Sequence, residues 1–210
     1  HPFLKFNEWT NLENLKIRDR IATTRKITYE SKYKIENFKL ATLGYLLAEG
    51  NLCHPHGIYF YSSQKDELQD YIKNLEKFKN IKAIVNPRQN ATSVYSTQKN
   101  RKKKNPLMKW VQELGLHNKK ATEKFFPDLI FKLNKNQLSL LLGKMWQGDG
   151  CVHPDKNGQI FYATSSEKLA KQLQHLLLRL EIISTIHKKQ FKYRDSYRIG
   201  YTINISRFTN

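Results

Sequence analysis

Two acidic residues stand in matched positions one hundred residues apart. Glu49 ends the apolar run KLATLGYLLAE and precedes Gly50, and Asp149 ends the run NQLSLLLGKMWQGD and precedes Gly150. Each run is typical of a buried helix that stops at a glycine. A single acid before such a glycine is an ordinary helix end, but two in matched contexts favour a shared role. If the two helices pack side by side, their carboxylates converge at one point.

Converging carboxylates define the chemistry that this pair could perform. Two buried like charges at short range repel strongly, so such a pair needs a cation. Oxygen ligands select hard divalent ions, and Mg²⁺ keeps several waters while it bridges one or two carboxylates to a phosphate. The pair therefore predicts a metal-dependent phosphodiesterase site.

The segments that follow the two acids are also alike, and they must position the pair. A turn rich in His, Pro and Gly leads to a strand-like segment (58–62, then 160–164) and to an amphipathic helix. One helix face carries Leu68, Ile72 and Leu75 in the first copy, and Leu169, Leu173, Leu176 and Leu180 in the second. More strand-like sequence follows at 81–85 and 93–97, and at 182–187 and 197–205. The chain is thus a tandem repeat of about 100 residues.

The arrangement predicts an α+β fold of two pseudo-twofold-related αββαββ-like halves that share a two-helix interface. Residues 1 to about 30 alternate apolar and polar, which indicates a small all-β segment before the repeat. The expected divisions are 1–30, 31–135 and 136–210. Between the copies lie a basic loop, Lys99 to Lys104, and a helix from Pro106 to Leu116, because proline suits the first turn of a helix.

The charge balance points to a polyanionic partner. Lys and Arg number 37 against 18 Asp and Glu, for a formal net charge of +19. Such a surface repels itself unless a polyanion neutralises it, and nucleic acid is the first candidate. A merely solvated basic surface is the alternative. An anionic membrane is a weaker candidate, because no long apolar span or basic amphipathic helix stands at either end.

Cysteine and histidine usage indicates neither disulfides nor zinc. Cys53 and Cys151 are too few for a disulfide framework, so we expect an intracellular, reducing setting with no choice among compartments. His54, His56 and His153 lie near these cysteines, yet no close fourth ligand completes a zinc site. The opening HPFLKFNEW has neither a basic leader nor an apolar signal core, so we expect no targeting segment there.

The paired motifs LGYLLAEG and LGKMWQGDG resemble the signature helices of the LAGLIDADG family of homing endonucleases over roughly residues 38–210. The resemblance implies that Glu49 and Asp149 are catalytic, metal-binding acids, assisted by the backbone carbonyls of Ala48 and Gly148. It implies Mg²⁺ as cofactor, with Ca²⁺ as a non-catalytic substitute. Lys144 stands where the signature prefers a small residue, which predicts a looser approach of the helices there.

Intein-borne members of this family place a lysine three residues before a proline, near the scissile phosphate. The segment EKFFP supplies Lys124 before Pro127. A lysine at that place could stabilise charge on the phosphate or hold the attacking water, or it could be a plain surface charge. A matching lysine is expected late in the second half, and residues 206–210 do not supply one. A shortened second half and a second site without that lysine both remain open.

The first residues resemble part of an intein splicing domain. HPFL, Trp9 and LKIRDRIA match that family's stretch from its splicing histidine to a turn that contains Gly-Asp, and Arg18 stands where the glycine is usual. By this resemblance His1 is the splicing histidine; otherwise it is an ordinary terminal residue. We expect no splicing by this chain alone, because no terminal nucleophile and no His-Asn pair accompany it.

Alternation puts every second strand residue on one face, and the family lays that face along DNA major grooves. In the first sheet the candidate DNA contacts are Tyr61, Ser63, Arg88, Gln89, Tyr95, Gln98 and Lys99. In the second sheet they are Thr164, Lys188, Gln190, Lys192, Arg194 and Arg198. The basic loop, with Arg101, Lys102 and Lys103, is expected to grip phosphates without reading bases. A solvated sheet face is the alternative for each residue.

Together these features predict an intein-associated homing endonuclease that acts as a pseudo-symmetric monomer on double-stranded DNA. The expected reaction is Mg²⁺-dependent phosphodiester hydrolysis that leaves short 3′ overhangs. Two alternatives remain. One is a sequence-specific DNA-binding relic that no longer cuts, and the other is a fragment of a split self-splicing intein.

Overall fold

The computed structural model describes residues 1–24, 27, 31–100, 104–153, 158–193 and 195–205. The first half of the repeat runs through α1 (Asn37–Glu49), β3 (Gly50–Asn51), β4 (Tyr59–Ser62), α2 (Lys65–Leu75), β5 (Ile81–Asn86), β6 (Thr92–Gln98) and α3 (Pro106–Glu113). The second half runs through α4 (Lys135–Asp149), β7 (Gly150–His153), β8 (Gln159–Thr164), α5 (Glu167–Arg179), β9 (Ser184–Tyr193) and β10 (Ser196–Ile205). Two short 3₁₀ helices, Ala121–Glu123 and Asp128–Lys132, lie between them.

The two four-stranded antiparallel sheets have the same topology. Their strand orders are β3-β4-β6-β5 and β7-β8-β10-β9, so each strand of the first sheet has a counterpart in the second. In each half the first helix ends at the acid, and the second helix covers one face of the sheet. The α+β fold with two αββαββ-like halves is confirmed.

Helices α1 and α4 form the centre of the molecule. Every residue of α1 from Leu40 to Ala48 is buried, which explains why its sequence is apolar all round and lacks an amphipathic stripe. In α4, Leu138, Leu141 and Met145 are buried in the same core. The expected two-helix interface is therefore the core of the protein.

The approach of α1 to α4 is close at two points. A Cβ on Gly148 would lie 2.7 Å from the Cβ of Ala48, and a Cβ on Gly44 would lie 2.7 Å from the Cβ of Lys144. The looser approach expected at Lys144 is wrong, because Gly44 on the opposite helix supplies the missing space. One small residue in each facing pair is enough for close packing.

The glycines that end α1 and α4 are not in the left-handed conformation. Gly50 has φ −79° and ψ 136°, and Gly150 has φ −80° and ψ 151°, so both are extended. A Cβ on Gly50 would lie 2.4 Å from the carbonyl oxygen of Leu46, and one on Gly150 would lie 2.2 Å from Cδ1 of Trp146. Glycine is needed here for space, because the chain turns from helix into strand across the preceding turn.

The amino-terminal segment forms a small hairpin of β1 (Pro2–Leu4) and β2 (Trp9–Asn11), followed by a 3₁₀ helix at Leu12–Asn14. It exposes large apolar side chains, with Phe6 94% and Ile17 96% accessible. Arg18 has φ 82°, in the left-handed region that favours glycine.

The α3 helix begins as the sequence predicts. Pro106 occupies its first turn, and the Asn105 side chain accepts hydrogen bonds from the backbone N–H groups of Leu107 and Met108. Among the described residues, no helix is both long and apolar enough to cross a bilayer.

Candidate active site

The two acids of the repeat meet at the carboxyl ends of α1 and α4. Gly148 lies against Ala48 just before them, which brings the carboxyl groups of Glu49 and Asp149 within hydrogen-bonding contact. Desolvation, together with the adjacent charge of Asp149, raises the pKa of Glu49 to about 7, while the positive charge of Lys124 opposes the shift. Glu49 is therefore partly protonated near neutral pH unless a cation is bound.

A buried tyrosine supports the second acid. Tyr162 on β8 is fully buried, and its hydroxyl lies 3.4 Å from Oδ2 of Asp149. Burial and the charge of Asp149 raise the pKa of Tyr162 well above its usual value, so the hydroxyl stays protonated and donates. Tyr162 was not among the residues singled out from sequence, although its place in a strand directly after the second acid was predicted.

Lys124 is buried at the same place, with 5% of its surface accessible. Its Nζ donates hydrogen bonds to the carbonyl oxygens of Leu46 and Leu47, both at 3.0 Å, and of Ala48 at 2.9 Å. These carbonyls belong to the last turn of α1, which has few partners inside the helix. Burial lowers the pKa of Lys124 to about 8, and the nearby carboxylates of Asp149 and Glu49 work against that shift.

A cleft of about 420 Å³ opens beside these groups. Its lining includes Ala48, Lys124 and Asp149, and from the second sheet Thr164, Lys189, Gln190 and Phe191. The cleft therefore connects Asp149 to the second sheet, including residues of its outer face, the face that points away from the helices.

The donor set fits a hard divalent cation bound together with a substrate. No cluster of three or more His, Cys, Asp and Glu side chains exists among the described residues, so protein carboxylates alone would not enclose an ion. Glu49 and Asp149 supply two oxygen ligands, and Mg²⁺ commonly takes the remainder from water and phosphate. The carbonyl of Ala48, expected to assist, already accepts a hydrogen bond from Lys124.

A polar network joins the two halves on the other side of α1. The hydroxyl of Tyr45 lies 3.0 Å from both Asp70 Oδ2 and Gln147 Oε1. Nζ of Lys144 lies 2.9 Å from the same two acceptor atoms. Lys144 thus links α2 of the first half to α4 of the second. The sequence did not indicate this link.

The outer face of the first sheet is aromatic. Phe60 and Val94 pair and are fully buried, so they define the inner face, and Tyr61 and Tyr95 alternate to the outer face as expected. Tyr59, which the sequence analysis missed, lies between them with ring centroids 6.2 Å from Tyr61 and 4.9 Å from Tyr95.

The other candidates in the first half divide by position. Gln98 pairs with the fully buried Ile81, so it lies on the inner face and not beside the tyrosines. Ser63 follows β4, Arg88 and Gln89 lie in the loop between β5 and β6, and Lys99 follows β6, all of them exposed. The rings of His54 and Tyr59 are in contact in a tilted arrangement, with centroids 4.0 Å apart.

The register of the second sheet places the candidate DNA contacts there on both of its faces. Tyr162 pairs with Ile203, both fully buried, and Ile203 pairs with Ile186, so these residues mark the inner face. By alternation Thr164, Lys188, Gln190 and Lys192 share that face. The charge of Lys188 accordingly acts on Glu167 at the start of α5.

The alternate residues of β9 and β10 face away from the helices. Arg198 lies there as predicted, opposite Phe191, with its guanidinium 4.0 Å from the ring centre of Tyr193. Lys189 shares this face and was missed. In the segment HKKQFKY, basic residues lie on both faces of the strand, so residue type does not indicate which face is the outer one. Ile186, which pairs with the buried Ile203, identifies the inner face. Arg101, Lys102, Lys103 and Arg194 lie outside the described residues.

The fold and the paired helix ends define a LAGLIDADG-type α+β architecture. Residues 136–210 match the model of the LAGLIDADG-like domain. A crystal structure of the homing endonuclease I-DmoI with DNA and Mn superposes with a TM-score of 0.54 at 12% identity, covering 81% of this chain and 89% of that one. At this identity the likeness concerns the fold.

Two curated relatives align along nearly the whole chain. The replicative DNA helicase DnaB of Synechocystis sp. is 33% identical over 96% of the chain, and the replication factor C small subunit of Methanocaldococcus jannaschii is 27% identical over 97%. The chain spans about a quarter of the first protein's length (24%) and 10% of the second.

Proposed function

We propose that this chain is a site-specific endonuclease that hydrolyses both strands of a long double-stranded DNA site and leaves short 3′ overhangs. The observation that carries the proposal is the convergence of Glu49 and Asp149 at one point beside the buried amine of Lys124. Two carboxylates and a lysine beside a cleft are suited to a phosphodiester, which brings negative charge and oxygen ligands of its own.

The surface around the cleft supports a DNA substrate. The chain carries a net charge of +19, and in each sheet the face opposite the covering helix is turned outward. Tyr61 and Tyr95 of the first sheet, and Lys189 and Arg198 of the second, point to that side. Tyrosine offers apolar contacts to bases, while lysine and arginine can read guanine or hold phosphate.

Glu49 and Asp149 would hold Mg²⁺, with Ca²⁺ as a substitute that binds without supporting cleavage. When bound, the cation polarises the phosphate and lowers the pKa of a coordinated water. Tyr162 keeps the Asp149 carboxylate oriented through its hydroxyl. Lys124 lies within reach of both acids and offers positive charge where the phosphate gains negative charge.

The reaction that these groups support is simple hydrolysis. The oxygen of a water forms a new bond to phosphorus, one bridging P–O bond breaks, and the leaving oxygen receives a proton. Because the two halves are related by pseudo-twofold symmetry, the single acid pair faces both strands of a duplex laid across the sheets.

A cleavage selection tests the proposal. The wild-type chain is incubated with Mg²⁺ and a library of randomised duplexes, and cut ends are sequenced. We expect a unique long site with 3′ overhangs. Glu49→Gln and Asp149→Asn should abolish double-strand cleavage and retain binding to the selected duplex, while Glu113→Gln, an exposed acid on α3, should cut normally. Binding of a defined site without any cleavage would instead identify a DNA-binding relic.

We also propose that the chain belongs to an intein. Its nearly complete alignment with small parts of two differently named proteins, a helicase and a replication factor C subunit, is the pattern expected of a mobile insert. The left-handed backbone of Arg18 supports the glycine-type turn of a splicing segment, in which His1 would be the splicing histidine. Sequencing the flanking coding region tests this, since a downstream His-Asn followed by Cys, Ser or Thr is expected.

A further inference from the structure

The segment that connects the two halves, residues 124–133, is held along its length by α5. Oε1 of Gln172 accepts a 2.8 Å hydrogen bond from the backbone N–H of Phe126, and its Nε2 donates to the carbonyl of Phe126 at 3.3 Å. Arg179, one heptad further along the same helix face, donates to the carbonyls of Phe131 at 2.7 Å and Leu133 at 2.9 Å. Side chains of the second half therefore hold the backbone of the segment that follows the first half.

Ser166 makes the contact closest to the acid pair. Its hydroxyl donates a 2.6 Å hydrogen bond to the backbone carbonyl of Lys124 and accepts one from the N–H of Leu169 at 3.1 Å. Ser166 is fully buried, and it is the N-cap of α5. One hydroxyl thus ties the first turn of α5 to the main chain of Lys124.

Lys124 is consequently held from both sides of the helix interface. Its main chain is bound by Ser166 of the second half, and its amine is bound by the last turn of α1 in the first half. A shift of the backbone by less than the length of a hydrogen bond would break the contacts of the amine, because hydrogen bonds weaken steeply with distance and angle.

We infer that Ser166 and Gln172 are positioning residues for Lys124, so that the lysine reaches the acid pair only when α5 of the second half grips the connecting segment. The inference rests on the proposed endonuclease activity for its catalytic consequence. It makes assembly of the active site depend on the docking of the two halves.

The placement of Lys124 can be tested without any cleavage assay. The full chain is acetylated under limiting reagent, and modification of individual lysines is followed by mass spectrometry. We expect Lys124 to react far more slowly than the exposed Lys82 in the wild type, and several-fold faster in Ser166→Ala and Gln172→Ala, with Lys82 unchanged. Ser166→Thr, which keeps the hydroxyl, should restore protection.

Asn105→Ala is the matched control, because it removes the N-cap of α3 and hydrogen bonds to Ser96 without touching the connecting segment. It should lower the thermal midpoint to a similar degree as Ser166→Ala and leave the reactivity of Lys124 unchanged. Equal exposure of Lys124 in both variants would mean that general loosening is the cause, and unchanged protection in Ser166→Ala and Gln172→Ala would overturn the inference.

Single-turnover cleavage of the selected duplex tests the catalytic consequence of the inference. Ser166→Ala should lower the cleavage rate at saturating enzyme about tenfold while the Kd for DNA stays the same. In a Lys124→Met background the same substitution should have no further effect, because a positioning residue acts through the lysine. Additive losses would refute positioning. If the wild type does not cut, the endonuclease proposal fails. The acetylation experiment still tests whether α5 positions Lys124.

Discussion

The amine of Lys124 lies 2.9 Å from the carbonyl oxygen of Ala48, the residue that precedes Glu49 in the chain. A lysine that follows the first half of the repeat thus completes the end of the helix that carries the first acid. The same contact has two consequences: it satisfies buried carbonyls of α1, and it holds a positive charge beside two carboxylates that repel each other.

Removing this amine should therefore affect both stability and cleavage. Lys124→Met leaves the carbonyls of Leu46, Leu47 and Ala48 without their donor, and we expect the free energy of unfolding to fall by about 2 kcal/mol. Cleavage should slow about a hundredfold with little change in DNA affinity. Urea denaturation and single-turnover kinetics check the two effects. A variant that cuts at the wild-type rate would leave Lys124 with a purely structural role.

The contact between Gly148 and Ala48 should tolerate no additional methyl group. Gly148→Ala would place its Cβ 2.7 Å from that of Ala48, so α1 and α4 must separate, and we expect a loss of about 1–3 kcal/mol. Gly143 lies on the same helix, and a Cβ added there would meet nothing within 4 Å, so Gly143→Ala should stabilise the fold by about 0.5–1 kcal/mol. Thermal denaturation of the two variants provides the comparison, and equal effects would contradict the close approach.

The acid pair should make the metal-free protein depend on pH. The pKa of Glu49 in the folded chain is raised to about 7 from the ordinary 4.5, so folding favours its protonated form. This contribution to stability is complete below pH 4.5 and is lost as the pH rises through 7. We expect the thermal midpoint in EDTA to fall between pH 5 and about 8 more in the wild type than in Glu49→Gln. Parallel curves for the two proteins would show that folding does not raise the pKa of Glu49.

The sequence predicted most helices and strands because each pattern occurs twice, once in each half of the repeat. Both acids and both apolar helices were placed correctly, but the strand expected at 182–187 extends to Tyr193 as β9. In the first sheet Tyr61 and Tyr95 share the outer face as expected, whereas Gln98 lies on the inner face. Two contacts that the sequence did not indicate depend on partners distant in the chain. The space that Gly44 leaves for Lys144, and the grip of Ser166 on Lys124, arise only when the halves dock.

The second sheet offers a matched pair of lysines for testing which face meets DNA. Lys189 lies on the outer face and lines the cleft beside Asp149, whereas Lys188 lies on the inner face near Glu167. Lys189→Ala should weaken binding of the selected duplex and reduce the slope of log K against log salt by about one, because one phosphate contact is lost. Lys188→Ala removes the same charge from the adjacent residue and should leave that slope unchanged. Fluorescence anisotropy across a salt series measures both, and an equal change in the two variants would show that DNA does not discriminate between the faces of this strand.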